Sequence, residues 1–370
     1  MRKILLTTPY DLAVEGGVNN QLWGLYRSLK KVAGYEVRVI GPSSDTASHD
    51  CPDLIVMGAV FSMPLNRAMS NITPDIRILS RVKALLKEFR PDIVHLQEPL
   101  LPILNTLVLY YSRGVNVGTY HTYSETSRGY DYWRPVLKWH HKRVHVKIAV
   151  SDAAGRFVAR TFPDTYHIIP NAVEMPAALP SDLKPVPFGK RKKTILFVGR
   201  MNEPRKGFYH LLDAHRLLDM VFPGEYRLVV AGPGRESLEM EDTKGEINWL
   251  GRISEEELRQ AYASCDIVCT PSLGGESFGI TLLEAFAHGK PVVASDIVGY
   301  REFAGDSGAA LLVQPGSSRS LANGIVQVLG NEGKYLKMSA AARALAQRHE
   351  WSTVTARIIA LYDSALAERK

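Results

Sequence analysis

Short runs of consecutive apolar residues recur along the whole chain, separated by longer stretches in which apolar positions return every three or four residues. A run that is apolar at every position, and only a strand's length, belongs to a strand covered on both faces, as in a parallel sheet. In the first half such runs predict strands at Ile4–Thr7, Glu36–Ile40, Ile93–Leu96, Val115–Tyr120, Ile148–Ser151 and His167–Ile169. In the second half they fall at Thr194–Val198, Arg227–Ala231, Ile247–Leu250, Ile267–Thr270, Pro291–Ala294 and Ala310–Val313. The stretches between them read as helices. Asn19 or Asn20 stands where a cap would precede the apolar face Leu22, Leu25 and Leu29. Ser254 with Glu257 forms a capping box opening a helix through Ser264. Gly289 followed by Pro291 is a helix stop. Helical spacing runs through Leu329–His349 and, after Trp351-Ser352, to about Glu368.

The alternation pauses between Ala172 and Lys193, where Pro176, Pro180, Pro185 and Pro187 precede the basic run Lys190-Arg191-Lys192-Lys193. Proline density followed by a charge run suggests a linker. At 370 residues the chain exceeds one compact core. The expected organisation is therefore a first domain at 1–171, a linker at 172–193 and a second domain at 194–351. Each domain is an α/β unit with a doubly wound, Rossmann-like parallel sheet. Such sheets bind ligands beyond the carboxyl ends of their strands.

Composition narrows the partners. The chain is 45% hydrophobic and 22% charged, an ordinary globular balance. A net charge of +7 suits phosphates or an anionic membrane surface. No long basic stripe with interleaved aromatics is present, which argues against a nucleic-acid partner. Three cysteines, with Cys265 and Cys269 flanking an apolar strand, suit neither a disulfide framework nor a zinc site, so a reducing compartment is expected. The apolar core near the N-terminus, Ile4-Leu5-Leu6, is far short of a signal-peptide core, and no run is long enough to span a bilayer.

The richest candidate chemistry lies in Gly274-Gly275-Glu276-Ser277-Phe278-Gly279-Ile280-Thr281-Leu282-Leu283-Glu284. Glycines allow close backbone approach to a ligand. Ile280, Leu283, Glu284 and Ala287 follow helical spacing, so a helix mouth opens near Ile280 and its first-turn amides suit a phosphate. Glu276 and Glu284 flank that anion site, where carboxylates are tolerated only if they meet hydroxyls. A nucleotide sugar offers both a diphosphate and sugar hydroxyls. The strand ending at Val198 runs into Gly199–Gly207, which places Arg200 and Lys206 at a strand's carboxyl end. There they could neutralise a diphosphate leaving group. His121 follows its strand at the analogous edge of the first sheet. Gly16-Gly17 occupies a strand–loop–helix junction of that sheet. The turns at Gly232 and Ile253 are candidates for a nucleobase slot. The segment Asp75–Phe89 places Ile78, Leu79, Val82, Leu85, Leu86 and Phe89 on one helical face and Arg77, Arg81, Lys83 and Lys87 on the remainder. A second basic-aromatic cluster is Arg134–Arg143 with Trp133 and Trp139. Either pattern fits a core-facing helix or one that meets anionic lipid.

Together, Gly16-Gly17-Val18, Tyr120-His121-Thr122, Gly199–Gly207 and Gly274–Glu284 resemble the retaining glycosyltransferases of family 4, whose fold is GT-B, and among them the bacterial phosphatidylinositol mannosyltransferases. The resemblance spans essentially the whole chain. It implies an interdomain cleft and a C-terminal helix, 352–370, that crosses back to the first domain. It implies a nucleotide-sugar donor, often GDP-mannose, bound mainly by the second domain, and transfer with retention and no obligatory metal or other cofactor. By position, Gly16 and Gly17 would approach the donor phosphate, His121 the sugar, and Arg200 and Lys206 the diphosphate. Glu276 would bind sugar hydroxyls, Glu284 the ribose, and the backbone of Ser277, Phe278, Gly279 and Ile280 the phosphate. Tyr10, Asn19 and Arg67 are the acceptor-side candidates. A lipid acceptor would place the protein peripherally on the cytoplasmic face of the plasma membrane. The acceptor side departs from the family pattern, with Asn19 where lipid-mannosylating members often carry Gln. A UDP- or ADP-sugar donor, a diacylglycerol or soluble acceptor, an epimerase and a non-catalytic binder are the alternatives.

Overall fold

A computed structural model describes residues 1–14, 16–45, 51–65, 68–73, 75–101, 103–126, 128–176, 192–237 and 247–369. The chain divides into one unit of Met1–Ala172 with Trp351–Lys370, and another of Val173–Glu350.

The first unit runs β1 (Arg2–Thr7), α1 (Gly17–Lys30), β2 (Tyr35–Gly41), β3 (Leu54–Val56), β4 (Phe61–Leu65), β5 (Ala68–Ile72), α2 (Leu79–Phe89), β6 (Ile93–Gln97), α3 (Leu104–Tyr111), β7 (Val115–Tyr120), α4 (Arg128–Lys142), β8 (Val146–Ala149), α5 (Asp152–Thr161) and β9 (His167–Ile168). Its main sheet is ordered β3-β2-β1-β6-β7-β8-β9, and every pair is parallel. Strands β6 and β7 are buried at each position, because helices cover both faces. On one face α1 packs with Leu22, Leu25 and Leu29 inward. On the other, α2 and α3 bury Val82, Leu85, Leu86, Phe89, Leu104 and Val108.

The second unit runs β10 (Lys193–Val198), α6 (Phe208–Val221), β11 (Tyr226–Ala231), β12 (Ile247–Gly251), α7 (Glu255–Ser264), β13 (Ile267–Thr270), α8 (Ile280–Ala287), β14 (Val292–Ser295), α9 (Val298–Ala304), β15 (Ala310–Val313), α10 (Ser318–Leu329) and α11 (Glu332–Gln347). Its sheet is also parallel throughout, ordered β12-β11-β10-β13-β14-β15. In each unit the chain winds outward from a first strand, then returns to that strand's other side. The reversal falls between β1 and β6 in one unit and between β10 and β13 in the other. Loops diverge at such a point and leave a crevice at the strands' carboxyl ends, where ligands of this architecture bind.

The last helix, α12 (Trp351–Glu368), belongs to the first unit. Val354, Ile358 and Tyr362 complete its core beside α1. Gly24 of α1 is a contact residue: a Cβ there would lie 2.0 Å from the Trp351 ring. The Tyr362 hydroxyl reaches His95 Nδ1 at 2.5 Å, and His95 Nε2 meets the Thr119 hydroxyl at 2.6 Å.

Local departures from the sequence reading have local causes. Helix α1 begins at Gly17 behind Gly16, with no side-chain cap, so neither Asn19 nor Asn20 is its N-cap. The Asn19 amide instead donates to the Asp11 and Val14 carbonyls at 2.7 and 3.0 Å. Ser151 leaves β8 because its hydroxyl caps α5, accepting from Ala154 N at 3.1 Å. The antiparallel pair β4–β5 contains Pro64, Ser70 and Asn71, and so had no apolar run to announce it.

Tyr362→Phe keeps the packing of α12 but leaves the buried His95 Nδ1 without its partner. Loss of such a bond costs about 1–3 kcal/mol, which urea unfolding will report as a lower midpoint at an unchanged slope.

Candidate functional site

The second unit's reversal point brings two loops together, one after β10 and one after β13. Pro204 opens a single 3-10 turn, Pro204–Lys206, which sets Arg205 and Lys206 side by side. Gly207 closes the turn at φ +67°, and a Cβ there would stand 1.9 Å from the Pro271 carbonyl oxygen. Only glycine combines that left-handed backbone with that approach. Leu273 N then donates to the Arg205 carbonyl at 2.7 Å.

With the loops so joined, Glu276 Oε1 accepts from Arg205 Nη1 and Lys206 Nζ, both at 2.7 Å. Glu203 takes Arg205 Nη2 at 2.8 Å and Arg200 Nη1 at 3.0 Å. Three cations against two carboxylates leave one positive charge in excess. Burial alone would push the Glu276 carboxyl up, but Lys206 and Arg205 more than reverse this and hold it below the usual carboxylate range. Burial would likewise lower the Arg205 guanidinium, and Glu276 and Glu203 raise it. Glu276 and Arg205 thus hold each other in the charged form, and Lys206 has further N–H donors beyond the one given to Glu276.

Gly279 precedes α8 at φ +101°, packed so that a Cβ would meet the Tyr300 ring at 2.9 Å. The Gly279 carbonyl accepts from Leu282 and Leu283 N, so the helix leaves the Ile280 and Thr281 amides at its mouth. The Tyr300 and Ser272 hydroxyls are 3.0 Å apart. Gly299 lies under the loop, where a Cβ would stand 2.2 Å from the Glu276 carbonyl oxygen. Phe278 is a buried anchor, its ring 4.2 Å from that of Phe303, so only its backbone is available to a ligand. Ser277 beside it is half-buried. In the second turn of α8, Glu284 accepts from the Tyr262 hydroxyl at 2.8 Å. Gly232 has a structural reason of its own, since a Cβ there would meet the Gly199 carbonyl oxygen at 2.1 Å. Ile253 is half-buried after β12.

The first unit's reversal point is more enclosed. His121, at the end of β7, is 9% exposed; its Nε2 lies 2.6 Å from Gln97 Oε1 and its backbone N donates to Glu98 Oε1 at 2.8 Å. Glu98 also accepts from the Thr122 hydroxyl at 2.7 Å, from a backbone at φ +49°. Burial raises the Glu98 carboxyl against the pull of those bonds. Burial lowers His121 to about 3, so its ring is neutral near pH 7. A cavity of about 30 Å³, lined in part by Gln21, His95, Gln97 and His121, lies behind it. Tyr10 stands half-buried after β1 and has its hydroxyl pKa raised, by burial and then by Glu98. Asn19 is buried, its amide tied to the loop that follows β1. Gly16 has an extended backbone, and among the described residues nothing lies within 4 Å of a Cβ built there. Gly17 opens α1 next to it.

Arg205, Glu203, Glu98, Gln97 and Tyr300 were missed by sequence reasoning. For Arg205 the signal was the Pro before it and the Gly two positions after it. For Gln97-Glu98 it was a polar pair at the carboxyl end of a buried strand, on the ligand edge. Arg67 lies outside the described residues.

On α2 and the turn before it, the apolar stripe Ile78, Val82, Leu85, Leu86 and Phe89 is buried in the core, so it is not free to enter lipid. Arg77, Arg81, Lys83 and Lys87 are exposed. Arg77 pairs with Asp75 at 2.8 Å, and Arg81 donates to the Val56 carbonyl at 2.9 Å. Among the described residues no helix is long and apolar enough to cross a membrane.

Two family models match the chain: "Glycosyltransferase Family 4" over residues 15–175 and "Glycosyl transferases group 1" over residues 192–331. A phosphatidyl-myo-inositol mannosyltransferase of Mycobacterium leprae is 33% identical, covering 98% of this chain and 96% of that protein. One of Mycolicibacterium smegmatis is 32% identical, covering 98% and 94%. Among solved structures, Anabaena Alr3699/HepE in complex with UDP-glucose superposes with a TM-score of 0.76 at 20% identity, covering 98% of this chain and 100% of that one. At that identity the likeness is one of fold.

His121 and His95 are both lowered to about 3, chiefly by burial, against 6.5 when unfolded. The unfolded chain therefore binds their protons first, and stability present above pH 6.5 is lost as pH falls towards 3. Each histidine contributes a slope of about 1.4 kcal/mol per pH unit in that window. Denaturant titrations between pH 7 and 5 will show the decline, and His121→Asn will make it shallower.

Proposed function

The chain belongs to the family 4 glycosyltransferases, and we propose that it transfers mannose from GDP-mannose to the headgroup of an inositol phospholipid, with retention of configuration. The observation that carries this reading is the convergence of Arg205 and Lys206 on Glu276, beside the mouth of α8, at the reversal point of the second sheet. The acceptor is supported by relatives named for transfer to phosphatidyl-myo-inositol along nearly their whole length.

The donor's diphosphate takes the place next to the α8 amides, where Arg200 and Lys206 offset the charge that grows as the sugar–oxygen bond breaks. One such positioned donor is commonly worth about 3 kcal/mol to a transition state. Glu276, kept ionised by its two cations, accepts hydrogen bonds from sugar hydroxyls. Glu284 does the same for the ribose, and the turns at Gly232 and Ile253 flank the base. The accepting hydroxyl bonds to the anomeric carbon from the side on which the diphosphate leaves. The departing phosphate oxygen takes its proton, so no carboxylate base behind the sugar is needed. Charge on the diphosphate is met by the protein's own cations, and no metal is given a part.

In the first unit, His121 offers the sugar a neutral hydrogen-bonding ring. Gly16 and Gly17 let their loop approach the donor phosphate closely. Tyr10 and Arg67 serve the acceptor, while Asn19 shapes the loop beneath it. The exposed cations Arg77, Arg81, Lys83 and Lys87 attract the anionic cytoplasmic face of the plasma membrane by charge alone.

Glu276→Gln preserves the shape of the site and removes its charge. Transfer, followed by mass spectrometry of the lipid product, should fall at least about a hundredfold while donor binding persists; near-wild-type turnover would refute the role. In a melting panel of GDP-, UDP- and ADP-sugars, GDP-mannose should raise the midpoint most, since selective binding stabilises the folded form. A larger shift with a UDP- or ADP-sugar would displace GDP-mannose as the donor.

A further inference from the structure

Helix α4 carries apolar residues on opposite faces. Its inner face packs against the first unit: the Tyr130 ring lies 5.5 Å from Phe157, and His141 stacks on Phe162 at 5.0 Å. Its outer face exposes Tyr132 (78%), Trp133 (58%), Val136 (54%) and Trp139 (41%) at helical spacing. Large aromatics so exposed on one helix are out of place on a wholly solvated surface. The patch continues onto α3, where Tyr110 is also exposed, its ring 5.3 Å from Trp139 and 4.7 Å from Tyr111. Lys83 of α2 sits over the Tyr111 ring at 4.5 Å, so the basic face of α2 joins the same surface. Arg134, Lys138 and Lys142 are exposed along α4, and the Arg143 guanidinium lies 5.0 Å from the Trp139 ring.

We propose that the outer faces of α3 and α4 are the surface on which the enzyme settles on an anionic bilayer. Trp133, Val136 and Trp139 enter the headgroup layer, while the cations of α4 and α2 meet lipid phosphates. The occupant follows from chemistry. Tryptophan and tyrosine prefer the membrane interface, and lysine and arginine around them favour anionic lipid over an apolar protein partner. The division of labour differs from that suggested by sequence, because the apolar stripe of α2 is sealed in the core while α4 has one to offer. This deepens the lipid-acceptor reading and rests on it.

The test is flotation of the full chain with phosphatidylcholine vesicles, with and without phosphatidylglycerol. Wild type should float with the anionic vesicles and release as salt rises. Trp133→Ala with Trp139→Ala should partition at least about tenfold more weakly at an unchanged melting temperature. Lys83→Glu with Lys87→Glu should weaken partition and its salt dependence together. With Trp133→Phe and Trp139→Phe combined, the blue shift of tryptophan emission seen with wild type and vesicles should vanish. Wild type that floats with neither vesicle, an alanine variant that floats like wild type, or a self-association abolished by the tryptophan changes without vesicle binding would each overturn the proposal. Transfer to detergent-dispersed lipid separates the two readings. In the wild type, no transfer with flotation intact counts against the function, and no flotation with transfer intact counts against this surface.

Discussion

Everything assigned to the second unit depends on the backbone approach of Gly207 to Pro271. Two parallel strands that neighbour each other in the sheet, yet lie far apart in sequence, send their following loops in different directions. A contact that only glycine allows pulls those loops back together. The ion cluster is the consequence: with the loops apart, Glu276 would be a loop carboxylate, and Arg205 and Lys206 would be ordinary solvated cations. Burying a carboxylate is tolerable because two cations and their hydrogen bonds arrive with it.

The first unit solves a different problem with a neutral histidine set among buried hydrogen bonds. Its reversal point is lined by His121, Gln97, Glu98, His95 and Thr119, which satisfy one another's hydrogen bonds in the interior. Such a network is rigid when complete and costly when broken. It fixes the orientation of the His121 ring without giving it charge, which suits contact with hydroxyls better than contact with phosphate.

Much of this was legible in the sequence, for identifiable reasons. Parallel strands buried on both faces announce themselves as unbroken apolar runs, and glycines at strand ends mark where loops must crowd. Glu276, Lys206 and His121 could therefore be picked out in advance. Arg205 could not be ranked above Arg200, because which guanidinium reaches Glu276 depends on the sense of one 3-10 turn. Glu98 was hidden because a lone carboxylate after a strand looks solvated until the opposing loop is known to cover it. The pattern of α2 left open which medium receives its apolar side, because amphipathicity is silent about that; the structure places the stripe in the core and leaves the basic face outward.

The assignment of α12 to the first unit bears on biosynthesis. The ribosome delivers this helix only after the entire second unit has emerged. Until then Leu22, Leu25 and the groove around Gly24 have no cover, and the nascent first unit presents an oily flank while its neighbour is still being made. The order of synthesis thus runs opposite to the order in which this protein can close its cores, and the window between the two is when it most needs protection from aggregation.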